Sequence, residues 1–167
     1  MFARGEGLRI HSLEIREAAP DRQGWTSIVD GRALRGLAPK SQESWRAKDG
    51  ALEPLTTGAF VLITRDELPD GDIRVLMEAR ELSYLMVDVR LTGSGKTRAS
   101  VERSVLGPWE RRTFELLLRC RGEDVTGTLE GQPIPFTVLG RTSSGAIRLQ
   151  GEGSGVRVHS VEYHPLR

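Results

Sequence analysis

Nineteen glycines and eight prolines punctuate this 167-residue chain at short intervals, and no helical apolar pattern between them runs for more than a turn or so. That spacing leaves room for strands and little else. Between the breaks lie short β-type runs at 59–64, 72–80, 84–91, 98–105, 113–120, 124–129, 135–139 and 146–150. Two further runs, 8–15 and 156–163, alternate apolar and polar residues apart from one slip each, at His11-Ser12 and His159-Ser160, where a bulge or a change of face is expected. Glu130-Gly131 is placed as a hairpin turn between two of the runs, and Asp30-Gly31 and Asp49-Gly50 as turn dipeptides. Only 42–46 and 66–68 invite a helical turn. About ten strands with so little helix imply an all-β, two-sheet antiparallel β-sandwich, since a single sheet leaves one apolar face uncovered.

The runs 5–15 and 153–163 are one segment written twice. Six of the eleven paired positions are identical, including Arg9/Arg157, His11/His159 and Glu14/Glu162. Copies separated by about a domain length point to tandem units or to a duplicated closing strand. The expected organisation is an extra N-terminal strand over 1–19 followed by one sandwich domain over 20–167, of a size that needs no division.

Several function classes are disfavoured. The net charge is +1 with both signs interspersed, and Arg111, Arg112, Arg119 and Arg121 make only a locally basic strand pair, so no nucleic-acid partner is expected. No apolar stretch approaches bilayer length and the first twenty residues carry no signal-type apolar core, so no membrane insertion is expected. The compartment stays open: extracytoplasmic if the chain is a piece of an exported protein, cytoplasmic if it is full length. The lone Cys120, in an apolar run, reads as an inert buried thiol. His11, His159 and His164 lack a second ligand at zinc spacing and read as solvated or capping, so neither metal nor cofactor is expected. Gly93-Ser94-Gly95-Lys96-Thr97 imitates the end of a phosphate-binding loop, but the motif's first glycine is replaced by Arg90 and a β-type run follows instead of a helix. It reads as a hairpin loop.

From Gly24 onward the order of markers is distinctive. Trp25 to Leu37 reads W-T-S-I-V-D-G-R-A-L-R-G-L, then come Trp45-Arg46-Ala47-Lys48-Asp49-Gly50-Ala51-Leu52, Leu62-Ile63-Thr64, Glu78-Ala79-Arg80, Gly107-Pro108-Trp109-Glu110, Leu129-Glu130-Gly131, and Gly145 to Gln150 before a closing strand to Leu166. This series resembles a domain-of-unknown-function family described as 3-keto-disaccharide hydrolases, over essentially all of residues 24–167. The resemblance implies a concanavalin A-like jelly roll. Trp25 and Trp45 within these markers read as core tryptophans clamping the sandwich edges in preference to sugar platforms.

Glycoside cleavage needs two groups facing each other across a cleft, usually carboxylates. In the resembled family a central acidic segment follows the E-x-R strand and lines the cleft, whereas here Glu81 leads through Tyr84 and Asp88 to Gly93 and then to Trp109, and that segment is missing. Glu78 and Arg80 remain, two apart and so on one face of their run; a cross-strand ion pair and a ligand contact both stay open for them. The expected function is therefore a non-catalytic glycan-binding or protein-interaction module, one unit of a multi-unit protein. Its expected ligand contacts are Glu78 and Arg80 to hydroxyls, with Tyr84 and Trp109 as stacking rings, all on the concave sheet. Whether it is an enzyme is left open: the alternative is a hydrolase of keto-glycosides with Glu78 as acid or base. A third reading is structural, with the N-terminal strand adding to a neighbouring copy to make a homo-oligomer.

Overall fold

The computed structural model describes residues 23–93, 95–102, 112–140 and 142–166. The first copy of the duplicated segment, the proposed 1–19 strand, His11, Arg111 and Trp109 lie outside them.

Among the described residues thirteen strands and one four-residue helix follow in order: β1 (Thr26–Val29), α1 (Pro39–Gln42), β2 (Trp45–Lys48), β3 (Ala51–Pro54), β4 (Gly58–Ile63), β5 (Gly71–Ala79), β6 (Glu81–Leu91), β7 (Lys96–Glu102), β8 (Arg112–Arg121), β9 (Asp124–Leu129), β10 (Gln132–Pro133), β11 (Phe136–Leu139), β12 (Ala146–Ser154) and β13 (Arg157–Pro165). They form two antiparallel sheets among the described residues. One runs β10-β9-β8-β5-β13-β3-β2 with β1 also paired to β13; the other runs β11-β7-β6-β12-β4. The all-β two-sheet sandwich expected from the punctuation is what the chain builds. The helical turn falls at Pro39–Gln42, where the proline occupies the first turn, while Trp45 and Arg46 of the expected 42–46 turn are strand and 66–68 holds no helix.

Period-two burial sorts each strand into an inner and an outer face. On β5, Ile73, Val75, Met77 and Ala79 are buried in the core and Asp72, Arg74, Leu76 and Glu78 face out. On β6, Leu85, Val87 and Val89 face in and Tyr84, Met86 and Asp88 face out. Trp45 is 2% exposed, meets Phe60 edge-on at 6.1 Å and donates its Nε1–H to the Val61 carbonyl at 2.7 Å. It clamps the β2 edge of one sheet to the β4 edge of the other. Trp25 is only partly covered and tilts over His164, with ring centroids 5.4 Å apart.

The turn dipeptides act as read. Asp49 and Gly50 have φ of 49° and 73°, both left-handed, as a two-residue turn between β2 and β3 requires, and Glu130-Gly131 repeats this with 50° and 75°. Glu130-Gly131 does not join the two expected runs in a hairpin, however: it turns β9 into the two-residue β10, and the run expected at 135–139 is β11, paired with β7 in the other sheet. Asp30 accepts the Arg32 and Ala33 backbone N–H groups through Oδ1. Gly31 packs against Gly50 and the His159 carbonyl so closely that an added Cβ would lie 2.6 Å from that oxygen. The two Asp-Gly turns therefore lean on one another and on β13. The 93–97 segment is the β6–β7 hairpin, closed by the Thr92 N–H on the Gly95 carbonyl at 3.0 Å, and Lys96 opens a strand.

At the far end of β6, Arg90 is 2% exposed with a left-handed φ of 55°. Its guanidinium donates to Asp70 Oδ1 at 2.5 Å and to the Gly122 carbonyl, and so clasps the β4–β5 and β8–β9 connections. Cys120 is buried nearby, and burial pushes its thiol pKa up, consistent with an unreactive core thiol. No helix among the described residues is long and apolar enough to cross a membrane.

Candidate functional site

β13 meets β5 along its whole length, but the register slips between Val158 and Ser160. The slip is the bulge expected from the broken alternation at His159-Ser160. It lets Val158 and Val161 both face the core while Arg157 and His159 both project outward beside Glu78, which stands directly opposite Arg157. One bulge thus gathers a cation, an imidazole and a carboxylate.

Glu78 is 8% exposed. Its Oε2 lies 3.3 Å from His159 Nε2 and 3.8 Å from Arg157 Nη1. Arg157 reaches further, with Nε 3.2 Å from Glu53 Oε1 and Nη2 donating to the Lys48 and Asp49 carbonyls at 3.2 and 3.3 Å. Glu53 is also paired with Arg46 at 3.2 Å. The Arg157 guanidinium therefore bridges two carboxylates and pins the β2–β3 turn to β5.

A cavity of about 360 Å³ opens beside this bridge, lined by Glu53, Glu78, Arg80 and Arg157 together with Lys48, Pro54, Thr56 and Gly155 among others. Arg80 and Lys48 have no carboxylate partner among the described residues. The cavity thus carries fixed acceptors on one wall and two uncommitted cations on the rim. It is in the size range of small-ligand pockets.

Of the residues expected from sequence, Glu78 and Arg80 line one cavity and Tyr84 does not. Tyr84 stands on the outer face of the other sheet, opposite Glu152 of β12, because the chain crosses from one sheet to the other at Arg80-Glu81. Trp109 lies outside the described residues. Glu53, Arg157 and His159 were missed as site residues. The sequence signal for the last two was the broken alternation at His159-Ser160; Glu53 carries none, because its role depends on where the β2–β3 hairpin lands. Among the described residues no group of three or more His, Cys, Asp or Glu is placed to hold a metal ion.

A second polar cluster lies on the outer face of the five-stranded sheet. Asp88, on the central strand β6, is flanked in register by Arg98 on β7 and Arg148 on β12. Arg98 donates to it through Nε at 2.6 Å and Nη2 at 3.2 Å, and Arg148 through Nε at 2.7 Å with Nη2 also in contact. The two guanidiniums fold over Asp88 so completely that it is 0% exposed. Burial pushes its carboxyl pKa up, but the hydrogen bonds and charges of Arg98 and Arg148 outweigh it and hold the carboxyl below its ordinary value.

No protein-family model matches this sequence, and no curated protein matches it. Two candidate glycosyl hydrolases from Parabacteroides distasonis superpose on it with TM-scores of 0.67 and 0.64 at 10% and 12% identity, over 90% and 85% of this chain and 99% of each of theirs. A prokaryotic β-1,3-1,4-glucanase (lichenase) derived from a mouse hindgut metagenome matches with a TM-score of 0.51 at 14% identity, over 89% of this chain and 96% of its own. Identities this low speak to architecture alone, and they agree with the sheet order: the fold of this chain is the concanavalin A-like β-sandwich.

Proposed function

We propose that this chain is a non-catalytic carbohydrate-binding β-sandwich, a divergent relative of the 3-keto-disaccharide hydrolase-like family, that holds a neutral sugar unit of a saccharide in the cavity between Glu78 and Arg80. The observation that carries the reading is the Arg157 bridge between Glu53 and Glu78 on the cavity wall. Saccharide hydroxyls are both donors and acceptors, and sites that select them present planar polar groups held rigid in advance. Glu78, fixed by Arg157 and His159, is such an acceptor, and Arg80 supplies donors across the opening. The same bridge argues against hydrolysis. A glycosidase needs one carboxyl free to deliver a proton and a second free to attack or to activate water, whereas here one always-charged guanidinium occupies both. The solved relatives, candidate glycosyl hydrolases and a lichenase, support a saccharide as the ligand class.

Titration calorimetry with neutral β-glucan and cello-oligosaccharides tests this. Wild type should bind, and Glu78→Gln and Arg80→Ala should each weaken binding at least about tenfold, the scale of one lost charge-assisted hydrogen bond. Binding untouched by both substitutions overturns the site. Turnover of a keto-glycoside by wild type, abolished in Glu78→Gln, replaces the module with a hydrolase. The reading as a strand-addition assembly rests on residues 1–19 and is tested separately: deleting them should leave the mass in light scattering unchanged if the chain acts alone.

A further inference from the structure

Across the segment from Pro54 to Thr57 lies a second cavity of about 470 Å³, bounded by α1, the outer edge of β4, and Arg148 and Gln150 of β12. Pro54 and Thr56 line both cavities, so the two are neighbours. Their chemistry differs. The first is walled by carboxylates, while the second is lined by Lys40 and Arg148 with no aspartate or glutamate among the described residues.

The positive charge there is not cancelled from behind. Among the described residues Arg148 shares its one carboxylate, Asp88, with Arg98, so two guanidiniums face one negative charge. Arg148 spends Nε and Nη2 on Asp88, and its Nη1 makes no hydrogen bond among the described residues. Its side chain is 21% exposed and held at a set angle by a fully buried partner. Lys40, exposed on α1, has no carboxylate partner among the described residues. A guanidinium with an unused nitrogen and an ammonium lining the same cavity suit a planar carboxylate. The floor is apolar: Val61 is 40% exposed although it sits in mid-strand, with Ile63 alongside on the same face. An apolar floor under a polar rim suits the C–H face of a pyranose ring.

We propose that this second cavity is an anionic subsite that takes the carboxylate of a uronic acid unit, held by Arg148 and Lys40, in a saccharide that continues from the Glu78/Arg80 cavity. The proposal rests on the saccharide-binding reading and adds a preference for acidic sugars. The test is titration calorimetry of the whole chain against oligosaccharides that join one uronate unit to neutral units by α-1,4 or β-1,4 linkage, their methyl esters, and acetate. The acid form should bind at least about tenfold more tightly than its ester, as one charge-assisted contact pair predicts. Arg148→Met should erase that preference. Because it also leaves Asp88 one partner short, Lys40→Glu, on an exposed helix position, is the second variant, with its fold checked by circular dichroism; it should erase the preference too. Glu78→Gln should weaken acid and ester alike and keep their ratio. Equal binding of acid and ester overturns the anionic subsite, and if that common binding still falls in Glu78→Gln the saccharide-binding reading stands without it. Acetate that competes as well as the oligosaccharide also overturns it, because the cavity would then be a general carboxylate site. Absence of any saccharide binding overturns both proposals.

Discussion

The outer faces of the two sheets treat charge in opposite ways. On the eight-stranded sheet, carboxylates and cations alternate across neighbouring strands, Arg46–Glu53–Arg157–Glu78 at one end and Arg121–Asp72 at the other, with Glu115–Arg74–Glu162 between. Most of these charges keep some contact with water. On the five-stranded sheet the charge is concentrated, with one aspartate at 0% exposure under two arginines. A distributed network survives the loss of a member because solvent and neighbours fill in. A concentrated one does not, because the remaining charges are already desolvated.

The largest effect should come from breaking the concentrated cluster. Asp88→Ala leaves Arg98 and Arg148 facing each other over an empty site, and denaturant unfolding should report a loss of about 3–5 kcal/mol. Replacing all three together with Leu and Met should return much of it, since the pair's worth is offset by its desolvation cost. The same carboxylate sets an acid limit. Its folded pKa lies below the unfolded value of about 3.9, so its stabilisation is present above that pH and is lost as pH falls through the folded value. Melting curves of wild type and Asp88→Asn should therefore differ at neutral pH and converge under acid; a constant gap would refute the assignment.

Smaller effects belong to the other face. Glu78→Gln keeps shape but removes the charge facing His159 and Arg157, and should cost about 1–2 kcal/mol in the same unfolding measurement. Asp72→Asn, whose partner Arg121 is 40% exposed, should cost less than about 1 kcal/mol. A loss there as large as that for Asp88 would erase the distinction between the two faces. Cys120 gives a readout for all of these variants: iodoacetamide should label it only upon unfolding, because the thiol is buried and its pKa raised.

Local chemistry made much of the fold legible. The apolar alternation of β4 to β9 and β11 to β13 came through because period-two patterning is written residue by residue. β1, β2, β3 and β10 escaped it: none is longer than four residues, too short for a period to stand out, and these strands are held by register with their neighbours and, in β2, by Trp45 in the core. The site was legible in part. Glu78 and Arg80 share a strand end and were seen together, whereas Tyr84, a few residues on, stands on the other sheet.

The sequence by itself determined the class of the fold, the two Asp-Gly turns, the turn at Glu130-Gly131 though not the strand it pairs, and the bulge at His159-Ser160, because each is dictated by the φ preferences and side-chain period of a few adjacent residues. Only the tertiary structure decided that Arg157 bridges Glu53 to Glu78, and that Arg98 and Arg148 close over one buried aspartate. Those groups are separated by ten to a hundred residues along the chain, and which of them meet depends on strand order and register, which no local preference encodes.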